Sequence, residues 1–170
     1  MVLITDAEMG SELGPVTVFV NDAFEKLTGY SKEEIIGQSP RMLQGPKTDK
    51  AQLRRIHDAL VKWEPVRAEL INYTKSGEEF WIELDIVPMA DSTGWYTHWV
   101  AIERNITKRK ANELEMLRLN RALRLLSDCN EALLRVKNEQ ELINEICKLA
   151  VEIGGYKMAW VGYAQHDETK

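Results

Sequence analysis

Two polar residues stand where the chain's own alternation asks for apolar ones. In PVRAELINYTK, residues 65–75, Val66, Ala68, Leu70 and Asn72 share one strand face; in WYTHWVAIER, residues 95–104, Trp99, Ala101 and Glu103 share another. A buried polar group without a partner costs about 1–3 kcal/mol. Asn72 and Glu103 are therefore satisfied either by each other and the backbone, or by a bound ligand. Desolvation would also raise the pKa of Glu103 and give it the character of a proton-linked switch. The other groups of chemical interest are isolated. Cys129 and Cys147 lack CxxC or metal-ligand spacing and read as reduced thiols. His57 falls at the edge of a helical apolar arc, His98 on an outward strand face and His166 in the tail, so none is placed as a haem ligand. No nucleophile–base pair, phosphate loop or metal cluster is spelled out, and the chain reads as non-catalytic.

The elements that must position these side chains follow from periodicity and punctuation. Short β-branched runs, VLIT and VTVFV, flank a Gly/Pro loop, GSELGP; NDAFEKLTGY and SKEEIIG read as short helices with Asn21 and Ser31 as N-caps and Gly29 and Gly37 as stops. Asp49 caps a longer helix, with Gln52 completing a capping box and Leu53, Ile56, Leu60 and Trp63 along one face. Three period-two strands follow. In the middle one Phe80, Ile82, Leu84 and Ile86 face inward while Glu83 and Asp85 face away, and Lys75-Ser76-Gly77-Glu78 is the hairpin turn before it. In the last one His98, Val100 and Ile102 form a partly apolar outer face. The pattern predicts an α+β domain, an antiparallel sheet with helices on one face.

From Ile106 the period becomes helical. Leu119, Leu126 and Leu133 repeat at heptad spacing with Ala122, Cys129 and Val136 between them, which suits an intermolecular coiled coil or a helix packing on its own domain. A second amphipathic helix, Asn138 to Ile153, is stopped by Gly154-Gly155, and YKMAWVGYA after it is strand-like. This reads as the opening of a further domain, in a piece of a longer protein. The 170 residues are 44% hydrophobic and 29% charged with a net charge of −5, as in a soluble protein with a core and without a basic nucleic-acid surface. No apolar run approaches the roughly 18 residues of a membrane span, and the first residues lack a basic leader. A cytoplasmic location is expected.

VNDAFEKLTGYSKEEIIGQSPRMLQG (20–45), NYTKSGEEFWIELDIVPM (72–89) and WVAIERNITKRK (99–110) together resemble the PAS domains of bacterial multidomain signalling proteins. The resemblance implies a five-stranded antiparallel sheet with helices cupped over one face, followed by a long C-terminal signalling helix. The tail from Leu126 to Ala164 resembles the first helix and strand of a GAF domain. The implied division is a PAS sensor at 1–106, a coiled-coil linker helix at 107–137 and a truncated GAF-like part at 138–170. The resemblance further implies output domains in cis, a histidine kinase or a cyclic-di-GMP enzyme. It also implies a parallel homodimer through His98, Val100, Ile102, Leu119, Leu126 and Leu133. At the junction, Asn105-Ile106-Thr107 stands for the family's Asp-Ile-Thr-like triplet, so a link from Asn105 to Arg109 is weakened from a salt bridge to a hydrogen bond.

GQSPRMLQGPKTD, residues 37–49, resembles the flavin-cradling segment of light-oxygen-voltage (LOV) photosensors. By that resemblance Arg41 matches a phosphate-contacting arginine, Gln44 a residue beside the isoalloxazine and Asn72 one on the flavin's polar edge. Five positions depart: Pro40 replaces the adduct-forming cysteine, Ser39 the asparagine before it, His57 a second phosphate arginine, Ile82 a second polar-edge asparagine and Glu103 the glutamine that flips. Pro40 excludes cysteinyl photochemistry, and the other losses argue against tight flavin mononucleotide binding. The pocket is expected to be lined by Arg41, Gln44, Leu70, Asn72, Ile82, Leu84, Trp99 and Glu103. The leading expectation is a sensory, dimerising relay with no cofactor and a small-molecule ligand at most; the alternative is a noncovalent flavin sensor holding FMN or FAD. Haem is disfavoured, and the loop is a scaffold first.

Overall fold

Five antiparallel strands take the order β2-β1-β5-β4-β3, so the first and last strands of the domain lie side by side in the middle of the sheet. The computed structural model describes residues 1–8 and 14–162. The strands are β1 (Val2–Asp6), β2 (Thr17–Val20), β3 (Val66–Tyr73), β4 (Glu79–Ala90) and β5 (Tyr96–Asn105). Between β2 and β3 come α1 (Asp22–Thr28), α2 (Lys32–Ile35), a 3-10 turn over Pro40–Leu43, and α3 (Lys50–Val61). After β5 run α4 (Thr107–Arg135) and α5 (Glu139–Glu152). Much of the loop read at Gly10–Pro15, together with Tyr163, Ala164 and His166, lies outside the described residues.

Local chemistry accounts for most of the boundaries. Ser31 forms a complete capping box with Glu34, whose amide donates to Ser31 Oγ while its carboxylate accepts from the Ser31 amide. Gly29 takes φ 77 and closes α1 by donating to the Glu25 carbonyl. Pro40 starts the 3-10 turn at a position where its missing N–H costs nothing. Two expected caps differ. Asn21 Oδ1 accepts from the Val2 amide and so ties α1 to β1, without capping its own helix. Asp49 caps α3 by accepting from Ala51 at 2.7 Å, and Gln52 Oε1 is left buried with no partner, so no capping box forms there.

The largest departure is at Trp63. The apolar arc places it on α3, yet the helix stops at Val61 and Trp63 has φ 60. The Glu64 amide donates to the Ala59 carbonyl and the Trp63 amide to Leu60. These two bonds define a Schellman stop, with tryptophan at the left-handed position that glycine usually fills. A bulky residue there is strained by about 1–3 kcal/mol. Stacking of its ring on Trp99 and on Tyr96, each at 5.0 Å between centroids, offsets that strain.

Backbone contacts divide the chain into two units, Met1–Lys110 and a second beginning at Ala111. In the first, the inner sheet face and the helices bury Leu3, Val20, Phe24, Ile35, Leu43, Ala68, Leu70, Phe80, Ile82 and Leu84. In the second, α5 lies back along α4. Arg135 pairs with Glu145 at 3.1 Å, Ala132 is buried, and a Cβ on Gly154 would fall 3.0 Å from Leu125. Leu119, Leu126 and Leu133 remain exposed, and Val136 lies beyond the helix end. The strand expected from Tyr156 does not form as far as Gly162; among the described residues no strand pairs with that segment, and an unpaired strand leaves backbone groups unmet. No helix among the described residues is long and apolar enough to cross a membrane.

Candidate functional site

Between the inner face of the sheet and the helices lies a cavity of about 450 Å³. From the sheet it is lined by Leu3, Thr5, Leu70, Asn72, Leu84, Ile86, Trp99, Ala101 and Glu103; from the 3-10 turn and α3 by Pro40, Arg41, Leu43, Gln44, Leu53, Arg54, Ile56, His57 and Leu60. The sheet's alternation places the first set and the arc of α3 the second. The turn is fixed between them by two hydrogen bonds to β3 and one within the loop. Thr48 Oγ1 donates to the Ile71 carbonyl at 2.7 Å and accepts from the Gly45 amide, and Tyr73 Oη accepts from the Lys47 amide. Gly45 is required at this crossing, because a Cβ there would fall 2.2 Å from the Tyr73 ring.

Asn72, Glu103, Gln44, Arg41, Leu70, Leu84 and Trp99 all line the cavity, as the sequence reading placed them. Ile82 does not. It shares the inward face, but it is fully buried in the cluster with Ala68, Leu70 and Phe80 and does not line the cavity. His57 is exposed, as its edge position implied, yet it also lines the cavity. The sequence reading missed Arg54. It stands one helical turn before His57 on the same edge of α3, so the i, i+3 spacing is the signal that could have found it.

Three buried polar atoms in this wall have no hydrogen-bond partner: Asn72 Oδ1, Glu103 Oε2 and Trp99 Nε1. Burial raises the Glu103 carboxyl from 4.5 to about 7, so near neutrality it is shared between acid and carboxylate. The wall thus offers an acceptor amide oxygen, an indole donor and a carboxyl that does either. Opposite them, Arg41, Arg54 and His57 bring cationic or protonatable groups to the same cavity. Neither cysteine falls within residues 1–110. Among the described residues no three His, Cys, Asp or Glu side chains gather as for a metal ion.

Two residues beyond Glu103 the strand meets α4. Asn105 Oδ1 accepts from the Thr107 amide at 2.9 Å, Thr107 Oγ1 accepts from the Trp81 amide, and the Ile106 amide donates to the Trp81 carbonyl. Arg109 pairs with Glu69 at 2.6 Å and approaches Glu83 at 3.7 Å, while Lys110 pairs with Glu69 at 2.6 Å. Glu83 is buried on the outer sheet face beneath Arg67 at 2.7 Å and Arg104 at 3.6 Å. The hydrogen bond from Arg67 holds its carboxyl below the usual range.

Comparison with known proteins agrees with this geometry. The family described as "PAS domain" matches residues 1–108. A bacterioopsin transcriptional activator of Halobacterium salinarum is 31% identical over 161 residues, 90% of this chain and 24% of its own length. A blue-light-activated histidine kinase of Brucella anthropi is 40% identical over 99 residues, 58% of this chain and 20% of its own. The chain therefore spans a quarter or less of these relatives. Among solved structures, the LOV domain of the Erythrobacter litoralis EL346 blue-light activated histidine kinase superposes with a TM-score of 0.57 at 32% identity, covering 62% of this chain and 94% of that one. The light-state Aureochrome1 LOV structure gives 0.59 at 31% identity, covering 66% and 86%. A LOV domain studied with a flavin analogue gives 0.59 at 27% identity, covering 70% and 86%.

Proposed function

The chain belongs to the PAS domain family, and we propose that its cavity holds a flavin noncovalently, making it a sensory module whose state is passed into α4. The carrying observation is the set of unpartnered atoms, Asn72 Oδ1, Glu103 Oε2 and Trp99 Nε1, in one cavity of about 450 Å³. That volume lies in the range of small-molecule sites, and a heteroaromatic amide ring offers both donors and acceptors to such atoms. Two of the objections in the sequence weaken. Ile82 does not line the cavity, so its lack of a polar group weighs less, and Arg54 stands beside His57 as a second cation for an anionic tail. The similarity to blue-light LOV domains adds weight and favours flavin over a cofactor-free pocket.

A bound flavin would supply light absorption and redox chemistry. Arg41, Arg54 and His57 would hold its anionic tail. Asn72 would accept from the ring, Trp99 would donate to it, and Glu103 would hold or release a proton at its carboxyl. With no thiol in residues 1–110, no covalent adduct forms there. Glu103 lies on β5 two residues before the Asn105 cap, so a change at its carboxyl reaches the Arg109–Glu69 contact through one strand. The module itself is non-catalytic in this reading. It dimerises through the outward face at His98, Val100 and Ile102 and the exposed Leu119, Leu126 and Leu133, and it acts on output domains in cis. Binding of FMN and riboflavin, followed by flavin fluorescence, tests the cavity assignment. Arg54→Ala is expected to weaken FMN and spare riboflavin, whereas no saturable binding of either contradicts it.

A further inference from the structure

The wall of the cavity continues outward from Trp99 as a line of stacked rings. Trp99 is 2% exposed and lies at 14° to Trp63; Trp63 lies at 16° to Tyr96, and Tyr96 is 41% exposed. Two irregularities are needed to assemble that line. Trp63 occupies a left-handed backbone position that glycine usually takes. In β5 the register against β4 slips between Met89↔His98 and Ala90↔Tyr96, leaving Thr97 extra. In a regular strand Tyr96 and Trp99, at odd spacing, face opposite sides; the bulge turns Tyr96 to the side of Trp99.

Filling space would require only flat apolar rings, and phenylalanine would serve. Indole and phenol are also the side chains that yield an electron most readily. The line runs from a dry cavity wall to the surface. We propose that Trp99, Trp63 and Tyr96 form an electron-supply path from the surface to the ring in the cavity, a photoexcited oxidant of the isoalloxazine class. The proposal rests on the flavin reading above.

The step balances as a single electron transfer. One electron leaves the Trp99 indole for the excited ring, and the vacancy on Trp99 is refilled from Trp63 and then from Tyr96. Trp99 is shielded from solvent, so the oxidised indole has no water to take its proton and the vacancy moves on. At Tyr96, exposed to water, the phenol loses its O–H proton to solvent as it is oxidised, which holds the vacancy at the surface as a neutral tyrosyl radical. The ring in the cavity has then gained one electron, and solvent one proton. No bond between protein and ring is made.

The test uses the whole chain loaded with FMN, freed of excess by gel filtration and illuminated with blue light without oxygen, while the visible spectrum and electron paramagnetic resonance are recorded. Loss of the oxidised flavin band together with a tyrosyl signal is expected. Tyr96→Phe should abolish that signal and speed the return of the band, and Trp63→Phe should lower the reduced yield several-fold with FMN still bound. Retained FMN with no protein radical, or with equal yields in all the variants, overturns the path and leaves the flavin reading standing. Loss of FMN from the wild-type chain on gel filtration overturns both.

Discussion

Asn72 on β3 and Glu103 on β5 line the same cavity, and each buries an oxygen that nothing in the protein satisfies. Such atoms cost stability in the empty fold and gain value when a ligand meets them. Asn72→Leu is therefore expected to raise the urea midpoint of the ligand-free chain, by a free energy of about 1 kcal/mol, and to weaken FMN binding. Lower stability with unchanged binding would show Asn72 to be a structural group.

Glu103 gives stability a pH dependence of definite sign. Its carboxyl titrates near 7 in the folded chain because burial disfavours the anion, against 4.5 when exposed. The folded state therefore holds the extra proton between those values. The contribution is fully present below 4.5 and is lost as pH rises through about 7. At about 1.4 kcal/mol per pH unit, the loss amounts to about 3 kcal/mol. Urea denaturation at pH 5 and pH 8 should show that fall in the wild type and its absence in Glu103→Gln.

The strained stop at Trp63 predicts an unusual order among variants. Trp63→Gly loses the stacking but relaxes the backbone; Trp63→Ala loses the stacking and keeps the left-handed φ. Thermal denaturation should find the alanine variant the less stable of the two, by about 1 kcal/mol. Alanine equal to or above glycine would mean that the Schellman stop has rearranged.

Arg109 fastens the first turn of α4 to Glu69 and Glu83. Surface ion pairs contribute about 0–1 kcal/mol, so Arg109→Ala should barely change global stability. Hydrogen exchange should reveal it, as faster exchange of the Lys110 amide, which bonds to the Ile106 carbonyl. Unchanged exchange would leave Arg109 no part in holding the junction.

Alternation made the strands, their inward faces and the positions of Asn72 and Glu103 legible, because the period of a strand fixes its face. Depth was not legible. Ile82 and Leu84 share a face, but the helical side chains Leu27 and Leu53 belong to the cluster that closes over Ile82, while Leu84 opens to the cavity. The stop at Trp63 has a local mark in Pro65, two residues on, which the apolar arc overrode; the rings on β5 that hold Trp63 in its left-handed turn lie far along the chain. The pairing of Arg109 with Glu69, forty residues away, was not legible either, because no local pattern carries a contact between β3 and α4. The strand-like run from Tyr156 has the composition of a strand, but composition supplies no partner for its backbone.

The most direct test of the central claim is the visible absorption spectrum of the purified chain after incubation with FMN and gel filtration, with the supernatant recorded again after denaturation. A structured flavin band in stoichiometric amount, released unchanged by denaturant, is the predicted result. A colourless chain that leaves all the FMN behind would contradict it.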